Sequence, residues 1–254
     1  MGKVIAVANQ KGGVGKTTTC VNLASCLAEA GKKVLVLDED PQGNATSGLG
    51  IDKSVLKQCM YDVLIKRVAI EDIVVATEWF KLDVAPSTIN LAGAEIDLVN
   101  QMNREGCLKR AVDEIRKKYD YILIDCPPSL SLLTINALTA ADSIIIPIQC
   151  EFYALEGVTQ LLNTAERVQE FLNPDLELEG IVMTMSDNRT NLTNDVIDQV
   201  KEHFPALLYK TIIPRSVRLG EAPSFGQPIN IYEPKGKCAD AYRALTKEVL
   251  KHGR

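Results

Sequence analysis

The segment Gln10-Lys11-Gly12-Gly13-Val14-Gly15-Lys16-Thr17-Thr18 packs three glycines, two lysines and two hydroxyl residues into nine positions. Glycines at this density let successive backbone N–H groups turn inward towards phosphate oxygens, and a helix beginning just after them adds its partial positive charge. Lys16 is then placed to reach the outer phosphates of a nucleoside triphosphate, and the Thr17 hydroxyl to ligate Mg²⁺. The phosphate-loop pattern G-x-x-x-x-G-K-[ST] is met except at its first position, where Gln10 stands in for glycine. A glycine-rich turn with a surface lysine is the plain alternative. The apolar run before the loop, the helical run after it and Gly-Lys-Thr-Thr in register all weigh against that. Lys11, five residues before Lys16, is a second cation in the same loop. One triphosphate and one Mg²⁺ do not need both lysines from a single chain, and a natural use for Lys11 is to reach across an interface to a nucleotide on a second copy.

Two further clusters end apolar runs: Asp38-Glu39-Asp40-Pro41-Gln42-Gly43-Asn44 and Ile124-Asp125-Cys126-Pro127-Pro128-Ser129. In an open parallel sheet, ligands bind beyond the carboxyl ends of the strands. Carboxylates there supply hard oxygen ligands to a metal and can orient a water. Asp125 suits a role in holding Mg²⁺, and Asp40 the orientation of the attacking water, with Asp40 also within the metal's surroundings. A lone strand-end aspartate is otherwise a helix cap or a turn former. Two such sites beside one phosphate loop argue for chemistry.

These residues require strands that end together and a helix that starts beside them. Short β-branched runs alternate with stretches of helical period, predicting an α/β chain: a mostly parallel twisted sheet with helices on both faces. Strands are predicted at 3–8, 33–38, 81–85, 120–125, 143–148, 180–185 and 210–213, and helices at 16–30, 91–99, 104–118, 130–140, 154–172, 190–203 and 237–251. Near-continuous apolar character in several strands predicts burial on both faces. No repeat or low-complexity linker divides residues 1–254, so one domain is expected.

The 254 residues carry 28 basic and 33 acidic side chains, a net −5, with 46% hydrophobic residues. That excludes a uniformly basic nucleic-acid-coating protein and a disordered one. Residues 206–254 nevertheless hold nine basic and four acidic side chains, an excess of five positive charges. Seven cysteines without a C-x-x-C pair, and only two histidines, fit neither a disulfide framework nor a zinc site. Reduced, mostly buried thiols are expected. No apolar run reaches the ~18–20 residues needed to span a bilayer, and no secretory signal is recognisable, so a cytoplasmic protein is expected.

The segments KGGVGKTT, DEDPQGNATSGLG, LAGAEIDLV, DYILIDCPPSLSLLTINAL and PRSVRLGEAPSFGQPI, in this order, resemble the ParA/Soj chromosome-partitioning ATPases of the MinD/ParA class, whose deviant Walker A motif carries the early lysine. The resemblance spans nearly the whole chain. It implies ATP and Mg²⁺ as ligands, with phosphate contacts from Lys11 through Gly12, Gly13, Val14, Gly15, Lys16 and Thr17 to Thr18. It also implies hydrolysis at Asp40, a Walker B role for Asp125, and base-side contacts at Pro214 and Ser216. Glu39 stands where an apolar residue often separates the two aspartates.

An ATP-dependent homodimer, with two subunits face to face around two ATP molecules, is likewise implied. So are binding of that dimer to nonspecific double-stranded DNA, stimulation of hydrolysis by a ParB/Spo0J-type centromere-binding protein, and a nucleoid-associated location. Arg189 and Arg218 match the family's DNA-contacting positions, and Lys235 and Lys237 lie close enough in sequence to widen the patch. Such residues would neutralise phosphates without reading base edges. Ala239, Tyr242, Leu245 and Val249 recur at helical spacing, predicting a core-packed C-terminal helix and not the basic membrane helix of MinD relatives. Three other readings are a metabolic ATP-dependent ligase or kinase, a cluster carrier of the nitrogenase iron-protein kind using Cys126, and MinD-like division-site positioning.

Overall fold

The computed structural model describes residues 1–151, 154–187 and 191–252. Eight strands, β1 (Lys3–Val7), β2 (Val34–Asp38), β3 (Val75–Ala76), β4 (Leu82–Ala85), β5 (Tyr121–Asp125), β6 (Ser143–Gln149), β7 (Glu177–Ser186) and β8 (Leu208–Pro214), form one sheet in the order β3-β4-β2-β5-β1-β6-β7-β8. Every pairing is parallel except that of β3 with β4. The helices are α1 (Lys16–Glu29), α2 (Asn44–Gly48), α3 (Met60–Lys66), α4 (Ile70–Ile73), α5 (Ala94–Asp97) and α6 (Cys107–Ile115). They continue with α7 (Leu132–Ala140), α8 (Ala154–Phe171), α9 (Asn191–His203), α10 (Val217–Glu221), α11 (Ile229–Tyr232) and α12 (Lys237–His252).

Successive strand residues point to opposite faces, and both faces are dry. In β1, Val4 and Ala6 join a cluster with Leu64, Leu108, Leu133 and Leu161 from α3, α6, α7 and α8. Ile5 and Val7 join the other cluster, with Leu23 and Leu27 of α1 and Tyr242 and Leu245 of α12. The predicted C-terminal stripe is thus spent on the core: Ala239, Tyr242, Leu245 and Val249 are all essentially inaccessible. Among the described residues, no helix is long and apolar enough to cross a membrane. All seven cysteines are buried free thiols.

The sheet places the chemistry. Val7, the last residue of β1, is in register with Asp125, which is in register with Asp38 on β2. Three strands in the middle of the sheet therefore end side by side, one leading into the glycine loop and two in aspartates. Helix α1 stops where Gly31 takes a left-handed conformation (φ +89°), its N–H bonding to Ala28 O and that of Lys32 to Leu27 O. That stop turns the chain back into β2 alongside β5.

Two predicted helices are broken. Residues 91–99 form α5 between 3-10 turns at Ile89–Gly93 and Leu98–Asn100, and 104–118 form α6 between turns at Arg104–Gly106 and Arg116–Lys118. Each turn tightens a terminus whose outer backbone groups lack longer-range partners. The strands expected at 180–185 and 210–213 extend to Glu177–Ser186 and Leu208–Pro214. Helices α2, α3, α4, α10 and α11 and strand β3 were not foreseen; all span seven residues or fewer, too short for a periodic signal.

Candidate nucleotide site

The loop between β1 and α1 is shaped by left-handed glycines at Gly13 (φ +74°) and Gly15 (φ +90°), the latter immediately preceding α1. It is fastened to neighbouring strands. Asn9 donates through Nδ2 to Pro147 O (2.8 Å), and its Oδ1 accepts from Lys11 N (3.0 Å). Thr184 of β7 donates to Val14 O (2.8 Å) and also contacts Ile148 O. Neither Asn9 nor Thr184 is marked by a motif; each is a polar residue at the end of an apolar strand.

Lys16 is buried, and its Nζ donates to Lys11 O at 3.0 Å, folding the side chain back over the loop. Burial lowers its pKa, against the pull of Asp125, then Cys126 and Asp40. Lys11 lies differently. It is partly exposed, and its Nζ pairs with Glu151 Oε2 at 3.2 Å, while the other Glu151 oxygen accepts from Gln149 Nε2. The two lysines thus divide: one is buried in the loop, and one sits at its rim, held by a glutamate that sequence reading missed.

The carboxylates are crowded. Asp38 is fully buried, accepting from Thr46 N (2.8 Å), Thr46 Oγ1 (2.7 Å) and Asp40 N (3.2 Å). Burial pushes its pKa up to about 6 despite those bonds. Burial also drives Asp125 well above the usual carboxylate range, with Asp38 adding and the Thr17 hydroxyl opposing. Neither buried Asp125 oxygen makes a well-formed hydrogen bond, so Thr17 relieves it only in part. An orphaned acidic oxygen pair beside a threonine hydroxyl is a donor set that suits Mg²⁺, whose remaining ligands are waters and phosphate oxygens. Among the described residues, no three His, Cys, Asp or Glu side chains come together as a self-sufficient metal site. Asp40 is also buried; its Oδ1 accepts from Gln42 N at 2.8 Å.

Glu39 is a surprise. Its N–H bonds to Asp125 O (3.0 Å), but the side chain is fully buried with both oxygens unpartnered. Burial, then Asp38, pushes its carboxyl well above the usual range. An unsatisfied buried polar group costs about 1–3 kcal/mol, and apolar replacement of similar shape removes that cost. Glu39→Met is therefore expected to stabilise the protein by about 1–3 kcal/mol in a urea melt with unchanged m value. A destabilised variant would mean that Glu39 has a partner in solution.

Pro214 and Ser216 border a cavity of about 280 Å³ that also touches Gly15, Thr18, Met185 and Tyr242, so the predicted base-side residues do adjoin the loop. Ser216 caps α10, its Oγ accepting from Arg218 N at 3.2 Å. Of the predicted DNA-contacting residues, Arg189 lies outside the described residues. Arg218 is half exposed and tied to Glu221 (2.8 Å) and Glu233 (3.9 Å). Lys235 and Lys237 are exposed and close in sequence to Glu233. Arg243, another cation of the basic C-terminal stretch, is occupied by a two-pronged pair with Glu29.

A phosphate loop leaving a central strand of a mostly parallel sheet, with aspartates ending the next two strands on one side, defines a P-loop NTPase-type fold. A family model described as an AAA domain matches residues 2–178. Over 253 residues the chain is 60% identical to the sporulation initiation inhibitor protein Soj of Bacillus subtilis (strain 168), covering 100% of both. It is 50% identical over 251 residues to the chromosome partitioning protein ParA of Myxococcus xanthus (strain DK1622), covering 99% of this chain and 89% of that one. Among solved structures, cobyrinic acid a,c-diamide synthase from Mycobacterium smegmatis with bound ATP analog and magnesium matches with a TM-score of 0.88 and 40% identity, covering 100% and 98%. The chain belongs to the ParA/Soj family of chromosome-partitioning ATPases.

Proposed function

We propose that this protein, as a single ATPase domain over residues 1–254, is a nucleotide-operated switch that binds DNA when loaded and leaves it after hydrolysis. ATP would lie with its phosphates along Lys11–Thr18 and its base towards Pro214 and Ser216. Thr17 and Asp125 would hold Mg²⁺, with Asp40 nearby, and the ion would neutralise charge on the phosphates. Lys16 stabilises the outer phosphates, and Asp40 orients the attacking water. Two chains dock face to face, and each contributes Lys11 to the nucleotide held by the other. The observation that carries this reading is the division of the lysines: Lys16 is buried in its own loop, while Lys11 stands at the rim in a pair that can open.

Dimerisation doubles the number of phosphate-neutralising cations presented to DNA, and so couples DNA affinity to ATP. Arg189, Arg218, Lys235 and Lys237 are the proposed contacts, serving a nonspecific double-stranded substrate. A ParB/Spo0J-type partner that accelerates hydrolysis would set the lifetime of the bound state in a nucleoid-associated cycle in the cytoplasm. The net charge of −5 fits a protein that releases DNA once the dimer parts. The test is a DNA-binding series titrated with salt in no nucleotide, ADP and ATP, using wild type and Asp40→Ala. Binding in ATP alone, steeply weakened by salt and retained by Asp40→Ala, is expected. Equal binding in every nucleotide state sinks the switch.

The likeness to a structure named as a synthase favours one second reading, an ATP-dependent ligase. ATP consumption would then rise with a small carboxylic-acid substrate and ignore DNA. The 60% identity to Soj over the full chain favours the partitioning reading.

A further inference from the structure

Lys53 lies outside the phosphate loop and both aspartate motifs, yet it grips the loop that carries Asp40. We infer that it is a positioning residue for hydrolysis, an inference that rests on the ATPase reading above. Its Nζ donates to Gln42 O at 2.7 Å and lies 3.3 Å from Gly43 O. The N–H of Gln42 donates to Asp40 Oδ1 at 2.8 Å, and the N–H of Gly43 to Asp40 O at 2.8 Å. Lys53 therefore fixes the carbonyls of the two residues whose amides fix Asp40.

The loop is clamped from the other side as well. Thr46 bonds to Asp38 through both its N–H and its hydroxyl, and its Oγ1 accepts from Ser87 N (2.9 Å). Between these supports, Gly43 takes φ +61°, and a Cβ there would lie 2.7 Å from Ser87 O and 2.8 Å from Lys53 Cδ. No side chain fits between Lys53 and the strand-end network. Lys53 itself is set by a turn in which Asp52 Oδ1 accepts from Ser54 N (2.9 Å) and Ser54 Oγ (2.7 Å).

Helix stability does not explain this placement. Gly43 precedes the first residue of α2, and a cation at a helix N-terminus opposes the helix dipole. What Lys53 gains is charge-assisted bonding to carbonyls that would otherwise turn to water. Once the Gln42 carbonyl is released, its residue can rotate and take its N–H off Asp40. A catalytic carboxylate loses orientation in that way while the nucleotide-binding loop, which Lys53 does not touch, is unaffected.

The experiment measures steady-state ATP hydrolysis, and the affinity for a non-hydrolysable ATP analogue, in wild type, Lys53→Met and Lys53→Arg. Lys53→Met should lower kcat about tenfold, in line with the sensitivity of catalysis to small misplacements. KM and analogue affinity should stay within twofold, and Lys53→Arg should recover most of the rate. An unchanged kcat, a KM that rises as kcat falls, or an arginine variant no better than methionine would each overturn the inference. A wild type that hydrolyses no ATP would overturn the ATPase reading itself, and this inference with it. A hydrolysing wild type matched by Lys53→Met would overturn the inference alone.

Discussion

Asp40→Ala is expected to lower ATP turnover by ~100-fold or more while leaving nucleotide affinity equal or tighter, the scale set by losing a positioned acid–base group. The two halves of this result have separate causes. Asp40 is set by its own loop, through Gln42 N to Oδ1 and Gly43 N to its carbonyl. Asp38 cannot move into the vacated role without dismantling its bonds to Thr46, and Asp125 is fully buried at the end of β5, facing Thr17. Affinity should not suffer, because Asp40 adds negative charge to a pocket that must accept a polyanion. It raises the pKa of both Asp38 and Asp125, which is the same repulsion seen from the protein side. Removing it relieves that repulsion. Single-turnover hydrolysis alongside equilibrium binding of ATP separates the two quantities. Loss of binding in step with loss of rate would place Asp40 among the ligand-holding groups, and an unchanged rate would move the water-orienting role elsewhere.

The phosphate loop was legible in the sequence because its chemistry is local: glycine spacing, a lysine and a hydroxyl all fall within nine residues. Asp38, Asp40 and Asp125 were legible as strand ends, since apolar runs that stop in a carboxylate signal their own boundary. The long-range partners were not. Glu151 sits 140 residues from Lys11, and Thr184 sits 170 from Val14, so only the sheet order brings them together. Thr46, Ser87 and Lys53 escape for a related reason. Each supports a loop whose path is set by a left-handed glycine, and nothing in a lysine eleven residues from Gln42 announces a carbonyl contact. Glu39 is a different case. It stands where an apolar residue often separates the two aspartates, and the strand end buries it as it would an apolar side chain, which leaves both carboxyl oxygens unpartnered.

The Lys11–Glu151 pair makes the second large prediction a comparison between two variants. Lys11→Ala should bind ATP yet fail to dimerise, with the ATP-dependent dimer weakened by ~100-fold or more. In the proposed dimer two Lys11 contacts would form, and each charge-assisted bond contributes about 1.5–3 kcal/mol, so removing both would exceed the ~2.7 kcal/mol that corresponds to a hundredfold. Glu151→Gln should act in the opposite direction and far more weakly. At 3.2 Å, with both side chains more than a third exposed, the Lys11–Glu151 pair is the kind that contributes only about 0.2–1 kcal/mol. Docking breaks two such pairs, so abolishing them in advance should tighten the dimer about 2- to 30-fold. The asymmetry follows from solvent: the pair is lost from a wet rim, while the new contact forms in an enclosed interface. Sedimentation velocity across a protein dilution series with ATP, for wild type and both variants, measures each constant. A Lys11→Ala protein that dimerises normally would leave the early lysine without its crossing role. A Glu151→Gln protein that dimerises less well would show that Glu151 guides Lys11 towards the partner and does not hold it back.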